Sequence, residues 1–248
     1  MKQRLAVFLN IPIWKGSLDA VVDRIFEIEA KNNSCHVVTI NAEMLLCAAK
    51  FEPVAQAIFG AQMWVADSMT ARWFYARAGQ RAGRIPGVDL AEKLVTRAAQ
   101  KKMPIIILGG ATAQVRTRAT EFVLRRGATV AFAESGPIIS YGESLPIGAL
   151  DEIAKKISAG GSALVLVGFG HGKQERAIEY LMQQVALPCI FVGVGGSLDM
   201  WAGEFPRAPK PLRFLGLEWL WRLILQPSRI HRIIQAVFVF PFSVLFNL

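Results

Sequence analysis

Ala163-Leu-Val-Leu-Val167-Gly168-Phe-Gly170-His171-Gly172-Lys173-Gln174 changes character midway, from an unbroken apolar run to a cluster of glycines, and then enters a helical pattern that continues to Gln184. A short continuous apolar run fits a strand buried on both faces, as in a parallel sheet. The arrangement recurs: Ile105 to Leu108 runs into Gly109-Gly110, and Cys189 to Val192 runs into Gly193-Val194-Gly195-Gly196. Further strands are expected at His36 to Ile40, Gln62 to Ala66 and Thr129 to Ala133. Helices are expected from Ser17, an N-cap type residue, and over Gly87 to Gln100, Thr112 to Arg126 and Lys173 to Gln184. This alternation predicts an α/β fold, a Rossmann-like, largely parallel sheet flanked by helices. Lys2 to Trp14 is basic and then apolar, but Asn10 and Pro12 interrupt it and no small-residue cleavage pattern follows. It reads as a first strand and not as a signal peptide.

In such a sheet the glycine turns fall at the carboxyl ends of the strands, where missing side chains leave backbone N–H groups open to a phosphate. Gly109, Gly110, Gly168, Gly195 and Gly196 are therefore candidates to bind a nucleotide, although each loop taken alone is equally compatible with a plain tight turn.

The 248 residues suffice for one α/β domain and an appendage. Composition changes at Gly203: from there to Arg232, six Lys/Arg stand against Glu204 and Glu218, interleaved with Trp219, Trp221 and leucines. The expected division is a catalytic domain over 1–203 and a basic, apolar appendage over 204–248. Mean hydropathy of +0.35, a formal net charge of +9 and a pI near 9.8 suit an anionic membrane surface or a phosphorylated substrate. Pro241 and a run of only sixteen residues after Arg232 argue for a helix lying on that surface and not spanning it, since a span takes about 20 apolar residues. No helix-turn-helix, RNP-like or zinc-finger pattern accompanies the charge, so nucleic acid is not an expected partner. Cys35, Cys47 and Cys189 are scattered and odd in number, which indicates neither a disulfide framework nor a zinc site.

No DxD, HExxH or GxSxG is present, so neither a metal nor a cofactor is expected. Asp67 follows an apolar strand, where a partly desolvated carboxylate serves as a base or, equally, as a helix cap beside Ser68. Thr39 and Asn41 end the preceding strand in the same way. Arg84-Ile-Pro-Gly-Val-Asp89 turns into a helix and invites a structural Arg84–Asp89 link.

Together, the stretches Thr39-Ile-Asn41-Ala-Glu-Met, Ala66-Asp67, Arg84-Ile-Pro-Gly-Val-Asp89-Leu, Leu108-Gly-Gly, Lys173-Gln174-Glu175, Gly193-Val-Gly-Gly-Ser-Leu-Asp199 with Ala202-Gly203, Arg207-Ala-Pro209 and Gly216-Leu-Glu218-Trp219 resemble, in order and spacing, the WecG/TagA/CpsF family of bacterial glycosyltransferases. Arg222, Pro227, Arg229 and Arg232 complete the pattern. The resemblance implies an inverting, metal-independent hexosyltransferase, similar to N-acetylmannosaminyltransferases. Such an enzyme moves sugar from a UDP-sugar to an undecaprenyl-diphosphate-linked acceptor, peripherally on the cytoplasmic face of the bacterial inner membrane. It further implies Asp67 as base, Thr39, Asn41, Arg84 and Gln174 around the UDP-sugar, with Asp199 taken alongside them, and Arg222, Arg229 and Arg232 on a C-terminal appendage closing over the site. Self-association into a homo-oligomer is compatible with it. Two positions depart from the family pattern: Ser68 stands where glycine is usual, putting the local backbone in question, and Gly172 stands where proline is usual.

Two rivals remain at this level. A nicotinamide-dependent oxidoreductase would use Leu108-Gly-Gly-Ala-Thr-Ala, with Glu134 near the place of a ribose-binding acid, although the spacing is not GxGxxG. A non-catalytic basic membrane-surface protein would use the appendage and leave Thr39, Asn41, Asp67 and Arg84 idle.

Overall fold

The structure, a computed structural model, describes residues 2–247. Six strands, β1 (Cys35–Ile40), β2 (Met63–Ala66), β3 (Ile105–Gly109), β4 (Val130–Glu134), β5 (Leu164–Gly168) and β6 (Ile190–Gly193), form one sheet in the order β2-β1-β6-β5-β3-β4, with every pairing parallel. The interior strands are apolar at almost every position because both faces are covered. In β5, Leu164 and Leu166 point into one core cluster while Val165 and Val167 point into the opposite one.

One face carries α2 (Leu18–Ala30), α6 (Gly87–Gln100) and α7 (Ala113–Leu124). The other carries α3 (Ala42–Lys50), α4 (Glu52–Phe59), α5 (Met69–Arg77), α8 (Ile147–Gly160) and α9 (Lys173–Gln184). Each helix presents an apolar stripe to the sheet; in α6, Leu90, Leu94 and Ala98 recur at intervals of four and are fully buried. Burying a leucine side chain contributes about 1.5–3 kcal/mol before entropy is counted.

The chain leaves β1 outward to β2, then crosses to the far half of the sheet and fills inward through β5 to β6. The strand order thus reverses beside β1, the place where parallel sheets open a crevice at their carboxyl ends.

The N-terminal segment is not a strand. Lys2–Val7 is helix α1, a 3₁₀ turn covers Phe8–Asn10, and only then does the chain extend. Its backbone groups find partners outside the ladder: the Gln80 carboxamide donates to the Leu9 and Ile11 carbonyls and accepts from the Ile13 N–H. Leu5 and Phe8, three apart, are buried beneath this turn. The Trp14 N–H donates to the Trp64 carbonyl and so covers part of the β2 edge, which the Ile85 N–H also meets at the Ala66 carbonyl.

After the short α10 (Ser197–Trp201), the chain continues through α11 (Lys210–Phe214), α12 (Glu218–Leu225), a 3₁₀ turn at Pro227–Arg229, α13 (Ile230–Ile234), a π-helical turn at Gln235–Val239 and α14 (Phe240–Asn247). Pro227–Phe246 is one helical run of 20 residues, long and apolar enough by length and composition to cross a membrane, longer than the sixteen residues counted from the sequence. Pro241 does not break it. A proline within a helix lacks an N–H and crowds the carbonyl four residues earlier, here that of Val237, and the π turn lies there. Phe240 and Val244 are fully buried against α5 and α1, with Phe240 and Phe74 rings 5.4 Å apart.

Candidate active site

A cleft of about 540 Å³ opens over the carboxyl ends of the strands, and the C-terminal helices form its far wall. The sheet side supplies Thr39 and Asn41 after β1, Asp67 after β2, Gly109 and Gly110 after β3, and Gly168 at the end of β5. Gln174 enters from α9, Gly195, Gly196 and Asp199 from the turn into α10, and Arg84 from the loop before α6. Arg222, Arg229 and Arg232 face them from the appendage. All fourteen residues singled out from the sequence therefore line one cavity, though they come from points almost 200 positions apart along the chain.

Asp67 extends the β1–β2 ladder by one bond, its N–H donating to the Ile40 carbonyl at 2.9 Å. Its Oδ1 accepts the Gly87 N–H at 2.8 Å, which fixes the carboxylate's orientation. No described residue bonds Oδ2. Gly87 makes this possible by lying against Thr39: a Cβ there would sit 3.3 Å from the Thr39 hydroxyl oxygen. Asp67 is not the helix cap. That role belongs to Ser68, whose Oγ accepts the Ala71 N–H at 3.1 Å and is 2.9 Å from the Thr70 hydroxyl. Ser68 has φ −107° and ψ 159°, an extended backbone open to any residue, so serine in place of glycine imposes no strain.

Asn41 caps α3 with its side-chain oxygen on the Met44 N–H at 3.0 Å, leaving its NH₂ for the cleft. Gln174 is buried against the third glycine turn, and a Cβ at Gly193 would collide with its carboxamide. Its Nε2 donates to Glu175 at 2.9 Å, whereas its Oε1 is buried without a partner among the described residues. An unpaired buried polar atom is costly, and a ligand donor reaching it would remove that cost.

The electrostatics of the far wall are unbalanced. Neither Arg222 nor Arg229 forms an ion pair among the described residues; Arg222 rests over the Phe205 ring, 5.7 Å from its centre. Burial, with Arg222 and Arg232 close by, holds the Arg229 guanidinium below its ordinary pKa, and burial raises the Asp199 carboxyl against the pull of Arg229. An anion between these arginines would relieve their mutual repulsion. Arg232 is engaged, donating through Nε and Nη2 to Glu43 Oε2 at 2.8 and 2.6 Å.

Arg84 is a tether. It donates to the Asp67 carbonyl at 3.1 Å and to the Arg213 carbonyl at 2.8 Å, and it pairs with Glu218. The Arg84–Asp89 link expected from the sequence is replaced by two links into the appendage, because Asp89 pairs instead with Arg207 at 2.6 Å. Among the cleft residues that the sequence reading did not assign to the site are Glu43 and His171. Glu43 sits two positions after Asn41, a signal within reach; His171 lies in the second glycine loop, with Nδ1 buried and without a partner among the described residues and Nε2 3.8 Å from Glu43. Burial lowers the His171 pKa. Gly172 has φ +73°, which proline cannot adopt. Glu134 is occupied by Lys156 at 2.6 Å and does not line the cleft, which leaves the ribose-acid reading without its acid. Among the described residues, no three His, Cys, Asp or Glu side chains group as a metal site.

The family model described as "Glycosyl transferase WecG/TagA/CpsF family" matches residues 6–248.

Proposed function

The chain belongs to the WecG/TagA/CpsF family, which makes it a glycosyltransferase of cell-surface polysaccharide synthesis, and we propose its reaction. It moves a hexosyl group, of the N-acetylmannosamine kind, from a UDP-sugar to a sugar carried on undecaprenyl diphosphate, in one inverting displacement that needs no metal ion. The acceptor hydroxyl attacks the anomeric carbon and its proton passes to Asp67 Oδ2. The bond between that carbon and the UDP oxygen breaks on the opposite face, and UDP departs as the anion. Arg222, Arg229 and the N–H groups of the glycine turns meet the developing charge; in comparable sites one such preset donor is worth about 2.7–4 kcal/mol. Thr39, Asn41 and Gln174 orient the donor, and Arg84 joins the base loop to the appendage. The chain acts at the cytoplasmic surface of the inner membrane, with its apolar C-terminal helix against the lipid.

One observation carries this reading: a carboxylate with one oxygen held and the other without a bond among the described residues stands across a cleft from two guanidiniums that form no ion pair among the described residues. The test uses the full chain, a panel of UDP-sugars and a short-chain polyprenyl-diphosphate-linked GlcNAc. Asp67→Asn is expected to reduce kcat by about 10²–10⁴-fold with UDP affinity near wild type. NMR of the product should show an inverted anomeric centre, and transfer should persist in excess EDTA. Normal turnover by Asp67→Asn, or a retained anomeric centre, would sink the proposal.

A further inference from the structure

Beside the main cleft lies a second cavity of about 310 Å³ that shares Glu43, Gly170, His171 and Arg232 with it and reaches Gln235 on the C-terminal helix. We propose that this cavity is the subsite for the diphosphate of the polyprenyl-linked acceptor, an inference that rests on the acceptor class proposed above.

Charge is the first argument. Lys50, Lys173 and Arg232 line the cavity against a single carboxylate, Glu43, which Arg232 already occupies. Neither lysine has an ion pair among the described residues; Lys173 lies only over the Tyr141 ring, 5.8 Å from its centre. The cavity therefore carries an uncompensated positive charge next to a cleft that has its own, so two separate anionic groups can be held at once. A transferase that moves a sugar from a nucleotide diphosphate to a sugar carried on a lipid diphosphate needs two such places.

Shape is the second argument. Phe51 and Tyr141 stack with centroids 5.4 Å apart and form an apolar wall. The Tyr141 hydroxyl fixes that wall by donating to the His171 carbonyl at 2.7 Å. Gly172 lets the loop lie flat on it, since a Cβ there would meet Cys47 Sγ at 2.9 Å and the Tyr141 ring at 3.0 Å. An aromatic wall beside lysines suits a phosphate whose next atoms are hydrocarbon. Position is the third. At Gln235 the cavity meets the C-terminal helix, whose neighbouring Ile234, Phe238 and Val239 are exposed apolar residues, so a chain leaving the cavity here continues along an apolar face.

The probe is farnesyl diphosphate, titrated by calorimetry into the full chain saturated with UDP. Wild type is expected to bind it. Lys50→Glu with Lys173→Glu should weaken that binding by about tenfold or more, the scale of one lost charge-assisted contact, while UDP affinity and melting temperature stay near wild type. Lys50→Gln with Lys173→Gln should give a smaller loss in the same direction. Equal affinity in wild type and the Glu variant, or displacement of the probe by UDP, overturns the subsite. Failure of UDP to bind, with lysine-dependent farnesyl diphosphate binding intact, overturns the donor reading and leaves the subsite standing. Phosphatidylglycerol vesicles without prenyl lipid supply a separate arm. Lysine-dependent vesicle binding combined with lysine-independent farnesyl diphosphate binding assigns the cavity to a bilayer headgroup and overturns the acceptor assignment.

Discussion

Asp67 and Ser68 are neighbours with different partners, and the division explains how the proposed base can stand at the start of a helix without being consumed by it. Ser68 satisfies the Ala71 N–H that would otherwise compete for the carboxylate, and the Gly87 N–H takes only one carboxylate oxygen. Losing the cap in Ser68→Ala should cost about 1 kcal/mol of stability in urea unfolding, whereas Ser68→Gly should cost only a few tenths. Turnover should stay near wild type in both. A Ser68→Ala enzyme of full stability and no turnover would place the hydroxyl on the substrate instead. At this scale the sequence was informative about which residues meet and poor about what each one holds. Asp67, Asn41 and Gln174 stand out because they follow strands or glycine turns, where local patterns point into the crevice. The task of Arg84 was illegible, because its partner carbonyl on Arg213 lies 129 positions along the chain and no local spacing encodes it.

Among the elements, strands of the sheet interior could be read directly because burial on both faces writes continuous apolar runs, and α6 and α9 because their stripes repeat every three to four residues. The first segment could not. Its apolar residues suit a strand, but its hydrogen bonds go to the side chain of Gln80, and a remote carboxamide leaves no trace in local pattern. The start of α9 carries a different tension. Glu175 is buried, accepts the Gly172 N–H at 2.6 Å and the Gln174 amide, and burial still pushes its carboxyl up to about 7. An acid raised on folding binds more protons in the native state than in the unfolded chain over the interval between the two values. Its contribution to stability is complete below about 4.5 and is lost as the pH rises through about 7. Melting temperatures of wild type and Glu175→Gln should therefore converge, or cross, between pH 5 and pH 8. Parallel curves would show that Glu175 is not the group titrating there.

On the scale of the whole molecule, the C-terminal helical run presents one apolar face to the core and another, also apolar, that is exposed. Phe240 and Val244, four apart, are fully buried in the core cluster that includes Leu5, Phe74 and Tyr75. Phe238, Phe242 and Phe246, also four apart, are each more than 60% exposed. Only 22% of the run's most apolar window is buried, while Arg232 anchors the same helix to Glu43. A crossing helix would have to surrender Phe240 to lipid and leave the Phe74 pocket empty, a loss of the order of 3–5 kcal/mol for a phenylalanine truncated in a core. A helix lying in the interface keeps that contact and still turns three phenylalanines toward the acyl chains. The two faces should therefore respond differently to substitution. Phe240→Ala should unfold at lower urea concentration, by an amount within that range. Phe238→Ser with Phe242→Ser and Phe246→Ser should leave unfolding and UDP affinity near wild type yet abolish co-sedimentation with anionic vesicles. If the triple variant still sediments with vesicles, the lipid contact lies elsewhere, and the exposed phenylalanines must instead face another protein surface.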